Sequence, residues 1–160
     1  MKRAITVVIL LCVLLVGCQK SEDFFEEFKG AFRADVKGEL NGVSFGAIFE
    51  AGQAEEGKLA PITVTFYAPE TLCDTILKRD KEGACRLCYE GTEIMAEGGI
   101  AMALFGLFPT GGVTKTAVDG MGNTVVTAGE KQVIFQKDGT PLKIEAPDVR
   151  VEILSFERGK

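Results

Sequence analysis

The chain has 160 residues, 46% of them hydrophobic and 26% charged, with a formal net charge of −5. That balance fits one globular domain and excludes a long disordered chain. Histidine is absent, which removes Ser-His-Asp and Cys-His nucleophilic sites, histidine bases and His-containing zinc sites. An acidic chain without tryptophan matches a phosphate backbone poorly, so no nucleic-acid partner is expected.

Lys2 and Arg3 precede an apolar stretch over residues 4–16, broken only by Thr6, in the pattern of a signal peptide. The stretch is too short for a membrane span, which takes about 20 apolar residues. Leu15-Val16-Gly17-Cys18 resembles a bacterial lipobox, with a branched apolar residue at −3, a small residue at −1 and cysteine as the acceptor. The resemblance implies that residues 1–17 are a lipoprotein signal peptide and that Cys18 is the lipidation site, acylated with palmitate-type chains. A bacterial membrane is then a partner, reached through the N-terminal acyl anchor, with the protein on its extracytoplasmic side. Several acyl chains hold far more firmly than one. Gln19, and not an aspartate, follows the cysteine, so the inner-membrane retention signal of Gram-negative lipoproteins is not seen. Cleavage removes Lys2 and Arg3 from the 18 basic residues and none of the 23 acidic ones. Anionic headgroups would repel such a surface, which leaves the anchor to hold it.

Residues 18–30 carry the lipidated cysteine and a tether. Phe24, Phe25 and Phe28 stand at helical spacing, and Ser21, Glu22 and Asp23 suit a cap and first turn. Either a short helix packs these rings on the domain, or the segment is a mobile spacer. A single domain follows over residues 31–160.

Asn41-Gly42 is a type I′ turn signal, which places Leu40 opposite Val43, Gly38 opposite Phe45, Val36 opposite Ala47 and Ala34 opposite Phe49. That face is apolar or small, while the other pairs Glu39 with Ser44, Lys37 with Gly46, Asp35 with Ile48 and Arg33 with Glu50. Strands over 31–40 and 43–51 follow. Residues 61–67 alternate again, with Ile62, Val64 and Phe66 on one face and Thr63, Thr65 and Tyr67 on the other. Strands over 73–79 and 84–90 flank a hairpin loop at 80–83. Residues 93–107 lose the alternation and predict a helix, apolar nearly all round in its second half and stopped by Pro109. Strands resume at 113–118, 124–128, 131–137, 140–146 and 149–156. A turn at Asp138-Gly139 sets Phe135 against Leu142 and Val133 against Ile144.

The fold class is therefore α+β and mainly antiparallel β: a half-open β-barrel or strongly curved sheet of about nine or ten strands covered by one internal apolar helix. The order of elements, the segment Phe66-Tyr67-Ala68-Pro69-Glu70 and the meander Asp138-Gly139-Thr140-Pro141-Leu142-Lys143-Ile144 resemble the outer-membrane lipoprotein carrier (LolA-like) superfamily. Small Gram-positive lipoproteins of that fold are similar too. The resemblance covers roughly residues 31–156. It implies a half-open antiparallel barrel wrapped on a helix, with an apolar cavity between them able to hold acyl chains.

Cys73, Cys85 and Cys88 remain once Cys12 leaves with the signal and Cys18 is lipidated, an odd number outside the cytoplasm. On a strand, Cys85 and Cys88 point to opposite faces and cannot share a metal or make a redox pair. A turn at 80–83 puts Cys88 opposite Thr75 and diagonal to Cys73. The candidate disulfide is therefore Cys73 to Cys88, closing a loop of about 15 residues for about 3 kcal/mol. Three unpaired thiols, or a redox or metal site, are the alternatives.

No catalytic residue, metal site or cofactor is nominated. Gly111-Gly112-Val113-Thr114-Lys115-Thr116 lacks the lysine position of a P-loop, and Asp119-Gly120-Met121-Gly122-Asn123 lacks the ligand ladder of a calcium loop. Two non-enzymatic functions stand against each other. One is an envelope protein whose apolar cavity, lined by Phe45, Phe49, Val64, Phe66, Met102, Phe105 and Phe135, binds or hands on a lipid or other hydrophobic ligand. The other is an adaptor or structural module in which the same residues fill a closed core and an envelope protein binds the outside. An enzyme or thiol oxidoreductase is a third, weaker reading.

Overall fold

Turn chemistry fixes the first hairpin. In the computed structural model, which describes residues 23–159, β1 (Phe32–Leu40) and β2 (Val43–Ala51) are joined by Asn41 and Gly42 at φ 50° and 82°. Both are in the left-handed region, as a type I′ turn requires. All the expected pairs form, from Leu40 with Val43 to Ala34 with Phe49. Ala34, Val36, Ala47 and Phe49 are buried on the inward face, while Arg33 and Glu50 make an ion pair on the outward face.

The meander continues through β3 (Ile62–Ala68), β4 (Ile76–Arg79), β5 (Cys85–Tyr89) and β6 (Thr92–Met95). After a crossing segment, β7 (Val113–Val118), β8 (Thr124–Ala128), β9 (Lys131–Phe135), β10 (Pro141–Glu145) and β11 (Val149–Arg158) follow. The 11 strands form one antiparallel sheet in the order β6-β5-β4-β3-β2-β1-β11-β10-β9-β8-β7. Because β6 and β7 are opposite edges, the chain between them has to cross the concave side of the curved sheet. Leu104 and Leu107 in that crossing are fully buried.

Residues 23–29 also pack on the sheet. A 3-10 turn, Asp23–Phe25, runs into helix α1, Glu26–Lys29. Phe25 and Phe28 are buried, and Glu27 pairs with Arg158 at the end of β11. Of the two readings for this segment, packing on the domain is the one observed from Phe24 onward.

Several expectations need correction. The sheet has one strand more than the upper estimate, because residues 93–107 are not one helix. Glu90 and Gly91 take φ 47° and 78°, a two-residue hairpin turn that pairs Tyr89 with Thr92 and makes residues 92–95 an edge strand. Helix α2 spans only Gly99–Phe105 and starts after Gly98 at φ 122°. It is apolar but not covered all round, since Ile100 and Met102 are exposed. The β4–β5 hairpin is one residue out of the expected register, with Ile76 and not Thr75 opposite Cys88. The Asp80 carboxylate accepts N–H bonds from Glu82 and Ala84, and with Gly83 at φ 92° the loop closes on Asp80 and Ala84. A one-residue slip exchanges the faces. Near Asp138-Gly139, Val133 pairs with Ile144 as expected, but Phe135 faces Pro141 and not Leu142, because a bulge falls between Pro141 and Lys143.

Candidate functional site

The concave face is lined by a strand-by-strand apolar pattern, and its centre is filled. Phe45 and Phe66 meet ring to ring at 6.0 Å, and Phe49 meets Phe108 at 5.3 Å. Phe135 touches the rings of Phe24, Phe25 and Phe28. Phe45, Phe49, Val64, Phe66 and Phe135 are all buried in the core, and none of them lines the cleft at the strand ends. Met102 is 60% exposed on the outer side of α2, so it lines no cavity there. Among the seven nominated lining residues, only Phe105 borders the open space. Cys18 and the signal segment lie outside the described residues.

That open space is a cleft of about 970 Å³ at one end of the curved sheet, within the range of small-molecule sites. Its wall takes Phe28 from α1, Phe32 from β1, Ala51 from β2, Ile62 from β3, Phe105 from α2 and Phe108 from the segment after it. Leu59 and Ala60 of the β2–β3 loop and Ala128 beside the β8–β9 turn also border it. Parity explains the composition. Ile62 is inward like Val64 and Phe66, and Ala51 is inward like Phe49 and Ala47. These faces run past the filled core to the strand ends, where residues 109–112 border the open space.

Two inward positions break the apolar pattern with a cation. Arg79 shares the parity of Leu77 and pairs across the ladder with Ile62 and Cys85. Its guanidinium lies 5.6 Å from the centre of the Phe105 ring, and Nη2 donates to the Ala60 carbonyl at 2.9 Å. Its Nε is buried with no hydrogen-bond partner. Lys131 shares the parity of Val133 and Phe135, and its ammonium donates to the Gly106 carbonyl at the C-terminal end of α2, where a cation also suits the helix dipole. The alternation of β4 and β9 in the sequence contained this signal, a charge where the next inward residue should be apolar.

None of the three described cysteines lines this cleft. Cys73, Cys85 and Cys88 are free thiols. Cys73 donates to the Tyr67 carbonyl at 2.9 Å, Cys85 is buried on the inward side, and Cys88 lies outward beside Glu93. The shifted hairpin register removes the diagonal placement on which pairing Cys73 with Cys88 rested. A second groove, about 640 Å³, lies at the opposite end of β4 and β5 among Leu72, Leu87, Tyr89 and Ile94.

No protein-family model and no curated protein matches the sequence. Solved structures do. An uncharacterized conserved protein from Thermus thermophilus is similar at a TM-score of 0.53 with 14% identity, over 86% of this chain and 85% of that one. MucB is similar at a TM-score of 0.51 with 13% identity over 90% of this chain, which spans 60% of MucB. A putative outer membrane lipoprotein-sorting protein domain from Vibrio parahaemolyticus aligns at 0.49 with 10% identity, over 82% and 86% of the two chains. The likeness is one of fold alone.

Proposed function

We propose that the chain is a lipid-anchored envelope protein that binds a hydrophobic ligand of the acyl-chain class in the cleft between α1, α2 and the strand ends. The observation that carries this reading is the cleft itself: about 970 Å³ of space bounded by Phe28, Phe32, Ile62, Phe105 and Phe108, next to a core that is already filled. The parts of that wall left open to water gain free energy when an apolar ligand covers them, at about 25 cal/mol per Å². No catalytic step is assigned to it. Anchoring rests on the lipobox-like Leu15-Val16-Gly17-Cys18, and its test is incorporation of labelled palmitate into the wild type and its loss in Cys18→Ser.

The binding reading is tested by native mass spectrometry on residues 19–160, which contain every described element. Purified without detergent and mixed with palmitate, the protein should hold added acyl mass. Leu59→Asp puts a carboxylate on the cleft wall at a residue 49% exposed, so it should remove that mass while leaving the circular dichroism spectrum unchanged. A wild type that never takes up acyl mass would defeat the proposal.

A second reading, a protein-binding module, draws on a different observation. Ile94, Met95, Ile100 and Met102 are all more than half exposed around the junction between edge strand β6 and α2. An exposed apolar run beside an unpaired strand edge is the usual setting for a protein partner.

A further inference from the structure

The charged side chains that line the cleft, among the described residues, are all of one sign. Lys29, Lys58, Arg79 and Lys131 line it, and no described aspartate or glutamate does, in a chain with 23 acidic and 18 basic residues. Two of the four are held by carboxylates outside the cleft, Lys29 by Glu26 and Lys58 by Glu55 and Glu82. Among the described residues, Arg79 and Lys131 have no carboxylate within ion-pair distance. Both stand at the end of α2, one against Phe105 and the other on the Gly106 carbonyl. Each occupies an inward strand position where an apolar side chain would pack without desolvation cost. A half-buried guanidinium with a buried, unpartnered Nε and no counter-ion is an unfavourable arrangement unless something else brings the negative charge.

On the reading that the cleft binds acyl chains, we infer that its ligand is an amphiphile with an anionic headgroup, the carboxylate or phosphate seated between Arg79 and Lys131 and the chain laid on Phe28, Phe32, Ile62 and Phe108. Guanidinium suits either head, because its planar fork gives two parallel hydrogen bonds to a pair of oxygens. The cation on Phe105 keeps its ring contact while doing so, since stacking uses the face and the fork uses the edge. A neutral head of the same chain length gains only the apolar contacts.

The test compares laurate with monolaurin, which has the same chain and a neutral head, by isothermal titration calorimetry at pH 8 and submicellar concentration on residues 19–160. The wild type should bind laurate at least about tenfold more tightly than monolaurin, the size of one charge-assisted hydrogen bond. Arg79→Gln should weaken laurate binding and abolish that preference. Lys131→Gln should reduce it, and it serves as the independent variant if Arg79→Gln does not fold. Raising salt from about 0.1 M to about 0.5 M should weaken laurate and not monolaurin. Equal affinity of the wild type for both ligands, or a preference that survives both substitutions, would overturn the anionic headgroup while leaving the cleft as an acyl site. Failure to bind either ligand would overturn the cleft as well. Inorganic phosphate binding as tightly as laurate would overturn the amphiphile.

Discussion

The guanidinium of Arg79 lies 5.6 Å from the ring centre of Phe105, so the last residue of β4 is tied to the last turn of α2. This contact joins a sheet edge region to the crossing segment at the mouth of the cleft. It also places a cation where the inward pattern of β4 asks for an apolar side chain. Replacing an uncompensated, half-buried charge by an apolar residue of similar length is often neutral or stabilising. Arg79→Met should therefore leave the unfolding free energy within about 1 kcal/mol of wild type in a denaturant titration, while it removes the preference for laurate. A loss of several kcal/mol would mean that Arg79 serves the fold and not the ligand.

Phe28 is the point where the N-terminal segment becomes part of the domain. Its ring contacts those of Phe25, Phe32, Phe108, Phe135 and Phe156 at 5.2 to 6.1 Å, and it is 4% exposed. Phe28→Ala should cost about 3 to 5 kcal/mol, read from the urea midpoint at unchanged slope. A spacer residue would show no change.

Tyr67 covers Gly46 on the outward face. A Cβ at Gly46 would meet the Tyr67 ring at 2.5 Å, and that ring carries its hydroxyl to the Asp35 carboxylate at 2.7 Å. An aromatic over a strand glycine protects backbone that the glycine leaves bare. Gly46→Val, although valine favours strands, should destabilise by about 1 to 3 kcal/mol. The double variant with Tyr67→Ala should recover part of that loss, which a thermal melt of the four proteins would read.

The same hydroxyl responds to pH. Burial, the hydrogen bond to Asp35 and the charge of Asp35 push Tyr67 up from 10.0 to about 12. The folded state thus keeps its proton at pH values where the unfolded chain loses it. Its effect on stability is flat below about pH 10, and stability then falls as pH rises through the interval to about 12. With two tyrosines in the chain, Tyr89→Phe isolates the signal, and phenolate absorbance should rise with a midpoint near 12. A Tyr67→Phe variant should lose the fall in stability across that interval.

The parts of the fold that could be read from the sequence were those where turn chemistry and alternation agree. Asn41-Gly42 fixed a register that the structure reproduces pair for pair, because a one-residue slip would bury Arg33, Asp35 and Lys37. Residues 93–107 misled because, with charges only at Glu93 and Glu97, their apolar run has no period to separate edge strand from helix, and Glu90-Gly91 was the overlooked turn. The site was less legible than the fold. Inward parity correctly marked Phe45, Phe49, Val64 and Phe66 as apolar and concave, but parity cannot tell a filled centre from an open end. Arg79 and Lys131 were visible as breaks in that same parity, and their meaning needed the third dimension, which puts both at the end of α2.

The most direct test of where ligand binds is paramagnetic broadening in the amide NMR spectrum of residues 19–160 with a doxyl-labelled stearate. Loss of signal is expected at Phe28, Ala51, Ile62 and Ala128 in the lining of the cleft, with Phe45 and Phe66 spared in the filled core. Broadening centred instead on Ile94, Ile100 and Met102 would contradict it and place the apolar contact on the outer face.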